Sequence, residues 1–160
     1  MNHSVAMRDI PSPSMDSSNY PIAADLAAAV PRLRRFARVL MGGGDGADDL
    51  VLETLAGARS GHAAGVELLT WLFGMMHAAH RRQARRPRRS AEVAVDAPAA
   101  TPTNLCASVL QLPLEEREVL MLVAVERLSY TDVASVLGVQ VATVMGTLTR
   151  ARKRLSEMQS

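Results

Sequence analysis

Apolar residues recur at spacings of three and four along most of the chain, the period of an amphipathic helix. In residues 23–40 the stripe is Leu26, Val30, Leu33, Ala37 and Leu40. Pro31 falls inside it, where a missing amide proton predicts a break and a second segment. Gly42, Gly43 and Gly44 then stop the pattern. A second helix is predicted over 47–59, with Asp45 as its N-cap and Asp48 and Asp49 in the first turn, where carboxylates suit the helix dipole. After a short loop at 60–66, a third helix is predicted over 67–86. Its first half is apolar (Leu68, Leu69, Trp71, Leu72, Met75, Met76), and Trp71 reads as core. Its second half carries Arg81, Arg82, Arg85 and Arg86, and Pro87 ends it.

Two stretches break the periodicity. Residues 1–22 are rich in Ser and Pro and poor in apolar residues, the composition of a disordered tail. Residues 90–103 are Ala/Pro/Thr-rich and read as a linker. Beyond it, helices are predicted at 104–111, 114–127, 130–137 and 141–156. Pro113, followed by Glu115 and Glu116, suits a helix start. The expected fold is therefore all-α: two small helical domains, 23–89 and 104–160, joined by a flexible linker, with the C-terminal one a helix-turn-helix.

The helix-turn-helix spans Ser129 to Leu155. Ser129 and Asp132 form a weaker relative of the capping box, so a helix starts near Tyr130. Val133, Ala134 and Leu137 face a core, and Ala134 is small enough for two helices to cross closely. Gly138 permits the turn, and Val139 is expected to plug the angle. The second helix offers Val141, Val144, Leu148, Ala151 and Leu155 to the core. Its other face is predicted to carry Gln140, Thr143, Thr147, Arg150, Lys153 and Arg154, short polar groups for base edges and cations for phosphates.

Composition sharpens this picture. The net charge is only +2, but 17 of the 18 basic residues are Arg and they cluster. Six arginines and no acid lie between residues 81 and 89, a density that favours an anionic partner. Aromatics are 3% of the chain, so the core is built from Ala, Val, Leu and Met. The single cysteine, Cys106, excludes an internal disulfide and a Cys-rich zinc site, and reads as a buried thiol. His77 and His80 have a spacing that could hold a metal, but no nearby acid or Cys completes a site and Arg81 and Arg82 repel a cation. The MGGGDG run lacks the Lys and Ser/Thr of a phosphate loop. No enzyme activity, cofactor or metal is expected. No apolar run approaches the ~18 residues of a membrane span, and the first twenty residues hold no signal-like run, so a cytoplasmic location is expected.

Three segments in order resemble one family. GADDLVLET at 46–54, LTWLFGMMHA at 69–78, and the stretch from Leu112 to Leu155 are similar to extracytoplasmic-function (ECF) sigma factors of bacterial RNA polymerase. The resemblance covers about Ala24 to Leu155. It implies that residues 23–89 dock on the clamp helices of core RNA polymerase through Asp48, Asp49, Leu50 and Glu53. It implies that the basic half of the third helix, with His77, His80, Arg81, Arg82, Arg85 and Arg86, meets promoter DNA near the minus-ten element. Residues 104–160 would read the minus-thirty-five element, and an anti-sigma factor would hold the two domains closed until a stress or environmental signal.

Several positions depart from the family pattern. Leu52 stands where glutamine is usual, and Ala78 where asparagine often follows the histidine. Gly146 and Thr147 replace a serine and an arginine, and the loop at 60–66 is short. Gly146 costs its helix about 1 kcal/mol against Ala. These departures keep a second reading open: a sigma-like protein that binds an anti-sigma factor with weakened promoter recognition. A third, an ordinary helix-turn-helix repressor or activator, lacks an evident dimerisation element.

Overall fold

A helix forms wherever the three-and-four pattern runs. The computed structural model describes residues 23–43, 45–61, 65–85 and 105–159. The tail 1–22, the linker 90–103, Arg86 and the side chain of Cys106 lie outside the described residues. Among the described residues there are seven α-helices and no strand. They are α1 (Ala23–Leu40), α2 (Ala47–Ala58), α3 (Leu68–Arg85), α4 (Leu105–Gln111), α5 (Leu114–Leu120), α6 (Tyr130–Leu137) and α7 (Val141–Met158).

Most boundaries follow the sequence reading, and three local features differ. Pro31 does not break α1, which runs through it without interruption. The N-cap of α2 is Gly46, at φ +97°, and not Asp45, whose side chain makes no capping bond. The helix predicted over 114–127 ends as α at Leu120 and widens into a π-helical turn over Met121–Val125. There the amide of Glu126 donates to the carbonyl of Met121, five residues back, at 3.0 Å. Arg127 follows in the left-handed region, at φ +58°. The wider turn matters because it aims Glu126 inward.

The first three helices close on Phe36 and Phe73, both fully buried. Their rings meet edge to face, with centroids 5.2 Å apart. In the second half, Leu122, Val133, Val144 and Leu148 fill the space between α5, α6 and α7. Each such side chain contributes roughly 1.5–3 kcal/mol by leaving water. The two halves also pack on one another, and their cores merge into one apolar cluster. α3 lies on α6, and α1 on α5. Gly74 lies at the α3–α6 contact, where a Cβ would make only an ordinary 4.0 Å contact with the Cα of Val136.

Candidate nucleic-acid interface

α6 and α7 meet at 99° across the three residues Gly138–Gln140, the geometry of a helix-turn-helix. The Ser129 hydroxyl accepts from the Asp132 amide at 3.1 Å and caps α6. Gly138 ends α6 in the left-handed region at φ +67°, a conformation that favours glycine. Val139 does not plug the angle between the helices as expected. It is 40% exposed and, with Leu137 and Val144, lines a cavity instead of filling it.

The face of α7 predicted to read DNA is only partly free. Gln140 and Thr143 are exposed, but Thr147 is buried. Its hydroxyl accepts from the Arg150 guanidinium at 2.9 Å. Thr147 sits one turn beyond Thr143 on the flank that turns toward α5, so the buried Glu116 draws that flank inward. Arg154 Nε lies 3.1 Å from Glu116 and Arg150 Nε 3.9 Å from it. Lys153 points outward, with a long 3.9 Å contact to Glu157. Arg152, absent from the predicted face, is exposed beside it.

The second basic surface is the end of α3. Arg81, Arg82 and Arg85 are exposed. His77 is not: it is buried against α5, its Nε2 3.6 Å from Glu118 Oε1. That distance is too long for a hydrogen bond. Burial, then Arg81 and His80, lower the His77 pKa. Burial, reinforced by Glu115, lifts Glu118 to about 7. Both groups are therefore driven toward their neutral forms, and the contact is not an ion pair near neutral pH. His77 is an interior packing residue and His80 is half-buried beside it. Both line a cavity of about 360 Å³ that α3 shares with Leu114, Glu118, Val139 and Thr143 of the other half.

The acidic surface lies on α2. Asp48 and Asp49 are exposed in its first turn, and Asp48 receives Arg34 Nε at 3.1 Å. Glu53 is exposed and accepts from Arg82 at 3.3 Å and from Gln83 at 2.8 Å, so α2 and α3 meet through it. Leu50 was expected on the docking surface. It is fully buried, because one residue on from Asp49 the helix has turned by about 100° and carries it into the α1–α2–α3 core with Phe36. Leu52 is 65% exposed on the same helix. Among the described residues no group of His, Cys, Asp and Glu could hold a metal ion.

The sequence pattern of Sigma-70 region 4 matches residues 107–155, which include the whole helix-turn-helix. That of the sigma2 domain of PhyR matches residues 26–77. An ECF RNA polymerase sigma factor, EcfG from Rhodopseudomonas palustris (strain TIE-1), is 36% identical over 84% of this chain and 82% of its own. The chain belongs to the ECF sigma factor family. Solved structures share its fold. The sigma factor RpoE from Bartonella quintana, in complex with the anti-sigma factor NepR, superposes with a TM-score of 0.69 at 26% identity, over 84% of this chain and 94% of that one. CnrH, in complex with the cytosolic domain of CnrY, gives 0.60 at 24% identity over 83% of each chain. The anti-anti-sigma factor PhyR from Bartonella quintana, complexed with NepR, gives 0.59 at 18% identity, over 86% of this chain and 50% of that one. No single helix among the described residues is long and apolar enough to cross a membrane.

Within this sigma fold, two signals were missing from the sequence reading. Glu116, in the acidic run 115–118, and Glu126, next to Arg127, look like surface carboxylates, yet both are buried. Their arginine partners lie 38 and 94 residues away, at Arg154 and Arg32, where periodicity says nothing.

Proposed function

We propose that the protein binds core RNA polymerase and directs it to promoters, as a sigma factor of a stress or environmental response. The observation that carries this is the pairing of two exposed basic helix ends, one in each half, in a chain of this family. Arg81, Arg82 and Arg85 on α3 face the minus-ten element, and α7 enters the major groove of the minus-thirty-five element. Asp48, Asp49 and Glu53 form the polymerase-docking surface. Arg150 and Arg154 keep a phosphate-facing role once the Glu116 contact exchanges.

An anti-sigma factor holds the chain inactive in this reading. Support comes from the merged core of the two halves and from the related sigma factor solved with its anti-sigma factor. Run-off transcription with purified core enzyme is the test. Transcripts that depend on this chain are expected, and their absence at every promoter tried would reject the reading.

One observation favours a second reading, that of a sigma-like protein that titrates an anti-sigma factor: the match of residues 26–77 to the sigma2 domain of PhyR. Tight anti-sigma binding without polymerase binding would establish it.

A further inference from the structure

The stripe of α7 that faces away from the molecule only partly overlaps the one predicted to read DNA, sharing Lys153 with it. The helix buries Val144, Thr147, Leu148 and Ala151. At 100° per residue, the positions opposite that face are 142, 146, 149 and 153, with 145 at one edge of this stripe and 150 at the other, each about 70° round. Ala142, Met145, Thr149 and Lys153 are all exposed, and Met145 is 52% exposed. On the flank toward α5, Thr147 is buried and Arg150 and Arg154 lie beside Glu116, while Thr143 stays exposed.

This outward stripe lacks the groups that read bases by hydrogen bonding. The Arg at its edge, Arg150, donates to Thr147 at 2.9 Å and lies 3.9 Å from Glu116, and the stripe has no Asn or Gln for adenine. The Thr149 hydroxyl donates back to the Met145 carbonyl at 2.9 Å, which occupies its proton. What remains are methyl and thioether groups, whose partner in a major groove is the C5-methyl of thymine.

Gly146 adds an independent observation. It is helical, so no left-handed turn requires a glycine there. A Cβ at this position would meet only the Arg150 guanidinium, at 3.8 Å, an ordinary contact. Nothing inside the chain calls for the worst helix former short of proline. A bare backbone does fit close approach to a partner. The charge says which partner: between Asp132 and Glu157 there is no acid, while Arg152 and Lys153 stand exposed at the end of the stripe.

We propose that Met145, with the bare backbone of Gly146 beside it, is the specificity-determining contact of α7, and that it reads thymine methyl groups of the upstream promoter element. This rests on the sigma factor reading above. The test uses the full chain assembled with core polymerase, on a promoter selected from a pool with a randomised upstream element. Each thymine there is replaced in turn by deoxyuridine, which lacks only the methyl group.

Loss of one methyl at one or two positions is expected to weaken the promoter complex about fourfold. Met145→Ala should cost a similar factor and become insensitive to the replacement. Gly146→Ala should raise the melting temperature and weaken the promoter complex, opposite signs that a folding defect cannot produce. Transcription indifferent to every deoxyuridine overturns the inference and leaves the sigma reading standing. So does a Met145→Ala chain that loses only anti-sigma binding. A chain that forms no active holoenzyme overturns both.

Discussion

Arg32 on α1 reaches across 94 residues to Glu126, donating to its carboxylate and, at 2.8 Å, to its backbone carbonyl. Arg35 joins them, 3.0 Å from the same carboxylate. The Glu126 side chain is wholly buried, while the arginines keep a third to a half of their surface in water. The first half of the chain is thus tied to the second at the end of the π-helical turn.

That asymmetry predicts unequal costs. Replacing both Arg32 and Arg35 by Ala leaves a buried carboxylate without a partner, which costs about 3–5 kcal/mol. Glu126→Gln leaves two arginines that can turn to water, and costs nearer 1–3 kcal/mol. Thermal unfolding of the two variants should separate them in that order.

Glu118 makes stability depend on pH. Its carboxyl rises from an ordinary 4.5 to about 7 in the fold, chiefly by burial. The stabilisation is complete below pH 4.5 and is lost as pH rises through 7, on the order of 3 kcal/mol. His77, held below its usual 6.5, works in the other direction, since its contribution fades as pH falls. Glu118→Gln isolates the carboxyl: it should melt well above the parent chain at pH 8 and level with it at pH 4.5.

Arg82 tests the α3 surface. Its pair with Glu53 is largely exposed, at 3.3 Å, so Arg82→Ala should change stability by well under 1 kcal/mol. Promoter binding by the holoenzyme should weaken, with a salt slope reduced by about one. Affinity titrations at several salt concentrations read both effects.

Two residues set the corner of the helix-turn-helix. Ser129→Ala removes the cap of α6 and should cost about 1 kcal/mol. Gly138→Ala forces a Cβ into the left-handed region and should cost roughly 1–2 kcal/mol. Neither removes a group from the exposed stripe of α7, so calorimetric melting should fall with no change in which promoter is selected.

The helices were legible because each has an apolar face that must be buried, and a period of 3.6 marks it. α1 and α6 have the predicted limits, and Gly138 turns where a turn was expected. Pro31 was misread because its carbonyl-facing cost falls at the exposed side of a helix already held by Leu33 and Phe36. The site was less legible. Asp48, Asp49, Arg81, Arg82 and Arg85 are exposed as their charge implies, whereas Leu50, His77 and Thr147 are not. A helix tells which residues share a stripe, but not which of two adjoining stripes faces a neighbour.

The amino-acid sequence alone determined the all-α class, the helix-turn-helix and the segregation of charge, because these depend on near neighbours in the chain. The tertiary structure decided the rest. It set Arg150 and Arg154 of α7 beside Glu116, left Met145 exposed, and tied Arg32 to Glu126. Those outcomes depend on contacts between groups tens of residues apart, where burial of a carboxylate demands a cation that no local pattern announces.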